Sequence, residues 1–220
     1  MTTTSGSVPR TAPFSARLRE LSWADHGRAE TAAVLRDLFS GDLELERYAR
    51  LVGQLFLVYD ALEEVGDGLR DDPVAGGFVT DALARRGRIA ADLAVLEGAV
   101  RIEPPVPLPA TAAYCDRIRA VADWPGGFVA HHYTRYMGDL SGGQAMRAAA
   151  ARAYGLTGAA GLAFYDFPEI PDHATFKDEY RRRLDDAPWD EAEQERIGAE
   201  VLAAYAHNVA VLAELGRSNP

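Results

Sequence analysis

A glycine-rich motif in the middle of the chain is the strongest sign of chemistry. It reads Tyr-Thr-Arg-Tyr-Met-Gly-Asp-Leu-Ser-Gly-Gly-Gln, within a stretch that otherwise predicts a helix. Gly138 and Gly142 are four residues apart, so they share one helix face and leave it without side chains. Asp139 and Ser141 place polar atoms beside this bare strip, and Arg135 lies one turn before the aspartate. The pattern indicates a pocket for a flat ligand, and tight packing between two helices is the simpler alternative.

A histidine near the start of the chain is the second candidate. His26 shares one narrow helix stripe with Arg19 and Glu30, because offsets of seven and four residues return to the same face. Glu30 could accept a hydrogen bond from the imidazole, which would orient a metal-bound histidine and raise its basicity. One histidine cannot build a zinc site, but it can be the axial ligand of a haem iron. The alternative is an ordinary surface pair, worth about a few tenths of a kcal/mol.

These two features could form the two faces of one pocket. A planar metal macrocycle would lie between the imidazole and the bare strip, and haem also carries two propionates that need cations. Arg19 is one candidate cation. Lys177 and Arg181, four residues apart on a predicted short helix, are two more, and Tyr133 could add a hydroxyl. A solvated basic face is the alternative interpretation of these cations.

The elements that must position these residues are predicted to be helices. Apolar residues recur at helical spacing, and the sequence contains no hairpin signal and no repeat. The expected helices cover approximately residues 14–39, 42–65, 76–100, 109–123, 128–154, 174–184 and 186–216. We therefore predict an all-α, single-domain, multi-helix bundle over residues 14–216, with a disordered segment at 1–13 and a tail at 217–220.

Composition and charge narrow the class of protein. The chain has 220 residues, a net charge of -10 and one cysteine, Cys115. The negative charge argues against nucleic-acid binding, and a lone cysteine excludes an internal disulfide. The start of the chain lacks the apolar core of a signal peptide, and no window approaches the ~20 apolar residues that span a bilayer. These features predict a soluble cytoplasmic protein that binds neither nucleic acid nor membrane.

Taken together, these segments resemble the haem oxygenase family. The likeness is carried by residues 131–144, which contain the glycine–aspartate motif, and by His26 with Glu30 at the family's proximal-ligand position. Further matching segments are residues 59–64 and the positions Tyr205 and Asn208. Residues 161–165, 176–177 and 180–181 resemble the family's propionate-binding region. The likeness extends over about residues 18–215 and is that of a soluble, bacterial-type member. Arg19 and Met137 depart from the family's usual lysine and leucine.

The resemblance implies a fold and a reaction. The fold is a helical bundle that holds haem b between a proximal helix and a kinked, glycine-rich distal helix. The reaction is oxidative opening of the haem ring by O2 and electrons from an external reductant. Its products are biliverdin, with the IXα isomer as the family norm, carbon monoxide and ferrous iron. Haem is then both substrate and cofactor.

The resemblance also implies roles for particular residues. His26 is the axial ligand of the haem iron, and Glu30 orients it. Asp139 anchors an ordered water network that delivers protons, with Arg135 and Tyr59 as supporting partners. The other residues expected to bind haem or shape its distal side are Arg19, Tyr133, Gly138, Ser141, Gly142, Lys177, Arg181, Tyr205 and Asn208.

Electrons have to come from another protein, because the sequence contains no flavin or nicotinamide motif. A ferredoxin or an NAD(P)H-dependent flavoprotein reductase is expected to dock on a basic rim of Arg19, Lys177 and residues 181–183. We expect the protein to be a monomer.

Other functions on the same architecture are weaker alternatives. The nearest is a non-catalytic haem carrier or sensor, against which the distal aspartate argues, because storage needs no proton relay. A thiamin-degrading enzyme needs a nucleophilic cysteine, and Cys115 lies far from the motifs in sequence. A di-iron oxidase needs paired Glu-x-x-His motifs, which the sequence lacks.

Overall fold

The computed structural model describes residues 12–100 and 104–217, without the side chains of residues 25, 26 and 28–30. This part of the chain contains α-helices and short 3₁₀ turns but no β-strand, so the all-α prediction is confirmed. The α-helices are α1 Phe14–Glu30, α2 Ala33–Ser40, α3 Leu45–Gly68, α4 Arg86–Ala99, α5 Pro109–Ala120, α6 Pro125–Tyr154, α7 His173–Asp186 and α8 Glu191–Arg217. The 3₁₀ turns are Ala75–Gly77, Asp81–Leu83 and Ala163–Tyr165. None of the described helices is long and apolar enough to cross a membrane. The segment expected to be disordered, residues 1–13, and the expected tail at 217–220 lie almost entirely outside the described residues.

The first expected helix is two helices in the structure. α1 ends at Glu30, the chain becomes extended at Ala32 (φ -57°, ψ 139°), and α2 begins at the next residue. The break lets α2 turn its apolar face towards α6 and α8. Apolar periodicity continues across the break, so the pattern alone predicted one helix.

Two other expected helices, α4 and α8, begin five or more residues later than predicted. The segment before α4 forms 3₁₀ turns, and Gly76 lies there so close to the carbonyl oxygen of Arg70 that no side chain would fit. α8 begins after Pro188 instead of including it, because the carboxylate of Asp190 accepts the backbone N–H of Glu193 at 2.8 Å and caps the helix.

The long helix α6 runs through the middle of the molecule. It packs against α2, α3, α7 and α8, and α8 also packs against α1 and α5. Every residue from 126 to 136 is buried, whereas many residues of the following three turns are partly or fully exposed. The glycine motif therefore lies where α6 leaves the core, and it does not interrupt the helix.

Candidate functional site

The bare strip on α6 faces an open cleft. A Cβ atom added to Gly138 or Gly142 would meet no atom within 4 Å, and both glycines line the cleft. A Cβ on the neighbouring Gly143 would instead contact the ring of Tyr165 at 3.6 Å. Tight packing between helices, the simpler interpretation of the glycine spacing, is therefore wrong for the first two glycines. They form the floor of a space that a ligand can enter.

One end of this cleft is an apolar chamber. It encloses about 770 Å³, including its open side, between α2, α3, α6, α8 and the third 3₁₀ turn. Its apolar walls are formed by Leu35, Leu51, Leu55, Met146, Phe164, Tyr165 and Leu212. Such walls favour a large apolar ligand, because burying apolar surface contributes roughly 25 cal/mol per Å².

The other end of the cleft is a basic mouth, which we define by Arg19 of α1 and by Lys177 and Arg181 of α7. It encloses about 900 Å³ and shares Gly138 and Tyr205 with the apolar chamber, so the two spaces adjoin. Its other lining residues are Ser22, Trp23, Tyr133, Met137 and Ser141. Three cations at one end of an apolar cleft match a ligand that is apolar over most of its area and anionic at one edge.

Two cations of the basic mouth hold exposed partners that a ligand anion could replace. Lys177 Nζ donates to the hydroxyl of Ser141 at 3.2 Å, and Arg181 pairs with the exposed Asp178 at 2.5 Å. Exchanging such solvent-exposed contacts costs little free energy. Arg183 was expected in the same rim, but it donates to a backbone carbonyl of the first 3₁₀ turn at 2.7 Å and does not line the mouth.

A hydrogen-bond network anchors the aspartate of the motif. The hydroxyl of Tyr59 donates to the carboxylate of Asp139. Arg135 donates to the Tyr59 oxygen from Nε at 3.2 Å and from Nη2 at 3.1 Å, and to Asn208 Oδ1 at 2.7 Å. Its guanidinium also lies 3.7 Å from the Asp139 carboxylate. The structure thus brings together four predicted site residues from α3, α6 and α8.

Burial governs the protonation of this network. It raises the pKa of Asp139 above that of an ordinary aspartate, although Arg135 and Tyr59 act in the opposite direction. Burial also raises the pKa of Tyr59 well above its usual value, so the hydroxyl keeps its proton. Burial acts to lower the pKa of Arg135, but Tyr59 and Asp139 outweigh it and keep the guanidinium charged. A carboxyl with a raised pKa beside a fixed donor is suited to proton exchange.

The side chains of His26 and Glu30 lie outside the described residues, and only their backbone in α1 is described. Position 26 is four residues after Ser22 and seven after Arg19, both of which line the basic mouth. Helical spacing therefore places it on the face of α1 that borders the cleft. The ligand role of His26 stays a prediction.

Similarity to known proteins decides the family. The family model described as "Heme oxygenase" matches residues 12–214. The chain is 37% identical over 203 residues to "Heme oxygenase 1" of Synechocystis, which covers 92% of this chain and 84% of that protein. The chain belongs to the haem oxygenase family. It is a haem-degrading oxidoreductase, as the sequence predicted.

Solved structures agree with this assignment. The haem oxygenase of Leptospira interrogans superimposes with a TM-score of 0.86 at 34% identity, covering 92% of this chain and 100% of that one. Heme oxygenase-1 of the cyanobacterium Synechocystis, solved in complex with heme, has a TM-score of 0.86 at 37% identity and covers 93% of this chain and 92% of that one.

The cleft of this haem oxygenase has the features that a haem requires. Gly138 and Gly142 leave a flat floor, the apolar chamber can cover the ring, and the cations of the basic mouth match its propionates. The predicted site residues that line the cleft are Arg19, Tyr133, Arg135, Gly138, Asp139, Ser141, Gly142, Lys177, Arg181, Tyr205 and Asn208. Tyr59 reaches it through its hydrogen bond to Asp139.

Part of the segment compared with the propionate-binding region lies elsewhere. Phe164 and Tyr165 line the apolar chamber, at the opposite end from Lys177 and Arg181. Tyr180 is buried, and its hydroxyl bonds to Nδ1 of His132 at 2.9 Å. Within α7, the helical period places Lys177 and Arg181 on the outward side and Tyr180 on the inward side. No spacing rule predicts where these residues lie relative to the loop that precedes α7.

Sequence reasoning missed most of the apolar wall residues. Leu35, Leu51, Leu55 and Leu212 have the periodicity of ordinary core positions, because a cavity wall and a packed core produce the same pattern. Trp23 lies on the predicted stripe with Arg19, but only the structure reveals that it is 66% exposed at the edge of the basic mouth.

Proposed function

We propose that this haem oxygenase opens the haem ring with O2 and externally supplied electrons, releasing biliverdin, carbon monoxide and ferrous iron. Haem, when bound, supplies both the redox-active iron and the conjugated ring that is oxidised. The observation that carries the proposal is the open glycine floor of α6 beside the hydrogen bond from Tyr59 to Asp139. Ring oxidation needs a floor for the ring and a proton-exchanging carboxyl, whereas storage needs only the floor.

Residues from both sides of the cleft hold the haem. The imidazole of His26 would bind the haem iron, and Glu30 would accept a hydrogen bond from that imidazole. Arg19, Lys177 and Arg181 bind the propionates. The remaining contacts come from Tyr133, Ser141 and Tyr205, which line the basic mouth. Burial raises the pKa of Tyr133, so its hydroxyl stays available as a donor.

Asp139 organises the proton supply on the glycine side of the haem. Tyr59 fixes the orientation of its carboxylate, and Asn208 holds Arg135 from the other side. Because burial raises the pKa of Asp139, the carboxyl can accept a proton from water and release it during turnover. Asp139 acts through ordered water and does not contact O2 directly.

The two open glycines determine which edge of the ring is attacked. With no side chain at Gly138 or Gly142, the helix backbone can approach the haem closely. A backbone so close would crowd that face of the ring and restrict the edges at which the ring could be oxidised. We propose the α edge, which gives the IXα isomer of biliverdin, because that isomer is the norm of the family that the sequence resembles.

Electrons enter at the basic mouth from a ferredoxin or an NAD(P)H-dependent flavoprotein reductase. The chain carries a net charge of -10, so an acidic partner is repelled by most of the surface and attracted to Arg19, Lys177 and Arg181. The exposed ring of Trp23 adds apolar contact at the same edge. The protein acts as a monomer in the cytoplasm, where its single cysteine stays reduced.

The test of the reaction is incubation of the purified protein with hemin, a ferredoxin–reductase pair, NADPH and air. Loss of the Soret absorbance is expected, with biliverdin identified by mass spectrometry and carbon monoxide trapped by deoxymyoglobin. A carrier or sensor would bind hemin and keep its spectrum, which would overturn the proposal. His26→Ala is expected to bind hemin but to turn over only when imidazole is added.

Asp139→Ala tests the proton supply in the same assay. Because the water network loses its anchor, biliverdin formation falls by on the order of a hundredfold, and peroxidase-like oxidation of added phenols appears. The matched control is Asp81→Asn, whose side chain is 86% exposed and pairs with Arg70 away from the cleft. Equal biliverdin rates in the two variants would remove Asp139 from the mechanism.

A further inference from the structure

A buried carboxylate on α4 holds the backbone of the third 3₁₀ turn. Asp92 is 2% exposed, and its two oxygens accept the N–H groups of Ala163 and Phe164, both at 2.8 Å. This contact joins α4 to a loop some seventy residues further along the chain. It satisfies both backbone donors and fixes the start of the turn.

A buried arginine holds the other end of the same turn. Arg85, which directly precedes α4 and has no exposed surface, donates to the carbonyl oxygens of Phe164 at 3.1 Å and of Asp166. Its guanidinium lies 3.8 Å from the centroid of the Phe167 ring. The other hydrogen bonds of the guanidinium in the described structure go to backbone carbonyls of the preceding 3₁₀ turn. A buried cation is costly, and here it orients backbone groups that an apolar side chain could not hold. We call Arg85 and Asp92 the α4 clamp.

The clamped turn lies directly behind the proton network. The ring of Phe164 packs edge-on against the ring of Tyr59, with centroids 5.4 Å apart, and Tyr59 donates to Asp139. Tyr165 lies opposite Gly143 and, with Phe164, lines the apolar chamber. The clamp therefore reaches the carboxyl of Asp139 through a single layer of packed rings, without contacting the glycine floor or the basic mouth.

We propose that Arg85 and Asp92 are positioning residues of this haem oxygenase, holding Phe164 so that the hydroxyl of Tyr59 stays on Asp139. The inference rests on the role proposed above for Asp139 in proton supply. Loosening the clamp affects proton delivery and the turnover rate, and leaves haem binding nearly unchanged. The charge of Arg85, like that of Arg135, favours the ionised form of Asp139. It therefore lowers the pKa of Asp139, as the hydrogen bond from Tyr59 does.

Two variants separate the geometry of the clamp from its charge. Asp92→Asn keeps the size of the side chain but replaces one acceptor with a donor that faces a backbone N–H. Arg85→Lys keeps the positive charge but loses the planar fork that reaches two carbonyls. The matched control is Arg88→Gln, because Arg88 lies between the clamp residues in sequence and its ion pair in the described structure is with Glu169, at 3.1 Å.

The first measurement uses the haem-free protein. Titration of the Asp139 carboxyl by ¹³C NMR reports its pKa, which the Tyr59 hydroxyl lowers by hydrogen bonding. Displacing that hydroxyl is expected to raise the pKa of Asp139 by at least about half a unit in both clamp variants, but not in Arg88→Gln. In the haem-loaded enzyme, kcat is expected to fall about tenfold while KM for hemin changes less than about twofold.

An unshifted titration of Asp139 in the clamp variants would overturn the proposal, even if their thermal stability were lower. Should Arg85→Lys fail to fold, Asp92→Asn decides the matter by the same criterion. If the wild-type protein opened no haem, the proposed reaction would fail, while the haem-free titration would still test the clamp. A fall in hemin affinity with unchanged kcat would assign the clamp to binding and would also contradict it.

Discussion

Helix α6 contains glycines in two different surroundings. In its first half, a Cβ on Gly126 would lie 2.6 Å from Glu193 Oε1 and 2.9 Å from the side chain of Ile197, where α8 crosses closely. From Gly138 onwards, the part of the helix that we call its second half, a Cβ on Gly138 or Gly142 would meet nothing within 4 Å. The missing side chain serves packing in one half and leaves room for a ligand in the other.

The carboxylates beside the two halves differ in a similar way. Glu200, beside the first half, accepts hydrogen bonds from His131 at 2.8 Å and from Arg117. Burial acts to raise its pKa, but these two donors lower it to about 2. Burial raises the pKa of Asp139, in the second half, above its ordinary value. The comparison teaches that one helix can stabilise the fold where a neighbouring helix packs closely against it and support chemistry where space and protonation are left open.

The largest effect is expected from Gly142→Leu. Its Cβ would meet no protein atom within 4 Å at the edge of the open cleft, so the haem-free fold should keep its stability. Hemin affinity should fall on the order of a hundredfold or more, about 3 kcal/mol, because the side chain occupies the space needed by the ring. Hemin titration by absorbance measures the affinity, and unchanged binding would contradict the idea that this strip is the haem floor.

Gly126→Val is expected to produce the opposite result. Its branched side chain would collide with Ile197, which is fully buried, so the free energy of unfolding should fall by about 2 kcal/mol. Hemin affinity of the folded fraction should stay unchanged. Urea denaturation measures the first quantity, and a loss of affinity without a loss of stability would remove the contrast between the two halves.

Glu200→Gln should change how stability depends on pH. Because the folded protein lowers the pKa of Glu200 to about 2, its contribution is complete above the ordinary value of 4.5 and is lost as pH falls towards 2. The half-exposed Arg117 is partly screened by solvent. Protonation of Glu200 in acid should therefore lower the free energy of unfolding of the wild type by roughly 1–2 kcal/mol. The variant should show a correspondingly shallower decline in acid, measured by urea denaturation at several pH values. The control is Glu169→Gln, which alters only a surface pair. An equal change in the acid dependence of stability in both variants would contradict the prediction.

The smallest effect is expected from alanine at the same two positions. In Gly142→Ala the methyl group meets no atom, so the better helix propensity of alanine should stabilise the haem-free protein by about 1 kcal/mol. In Gly126→Ala the methyl group would collide with Ile197, and stability should fall instead. Thermal denaturation of both variants checks the sign, and the comparison fails if the two shifts have the same direction.

Local spacing was sufficient to predict much of the candidate site. Arg135 and Asp139 are one helical turn apart, and so are Lys177 and Arg181, so each pair was expected on one face and is found there. The link from Tyr59 to Asp139 crosses 80 residues, and only the family resemblance pointed to it. The periodicity of one helix carries no information about which face of a distant helix will pack against it.

The α4 clamp illustrates the part that sequence reasoning could not reach. The sequence gives no reason to expect Arg85 and Asp92 in the interior, because charged side chains are seldom fully buried. Both are buried because they satisfy backbone groups of a loop that approaches α4 only in the folded chain. Likewise, the break between α1 and α2 occurs where the apolar period continues, and packing against α6 and α8 accompanies it.

By itself, the sequence determined that the chain forms helices and that one of them carries a face without side chains, because both follow from the spacing of neighbouring residues. It could not distinguish the glycine that lies against α8 from those that border empty space. The tertiary structure decided this, because the surroundings of a bare face consist of residues that are remote in the chain and meet only when the helices pack.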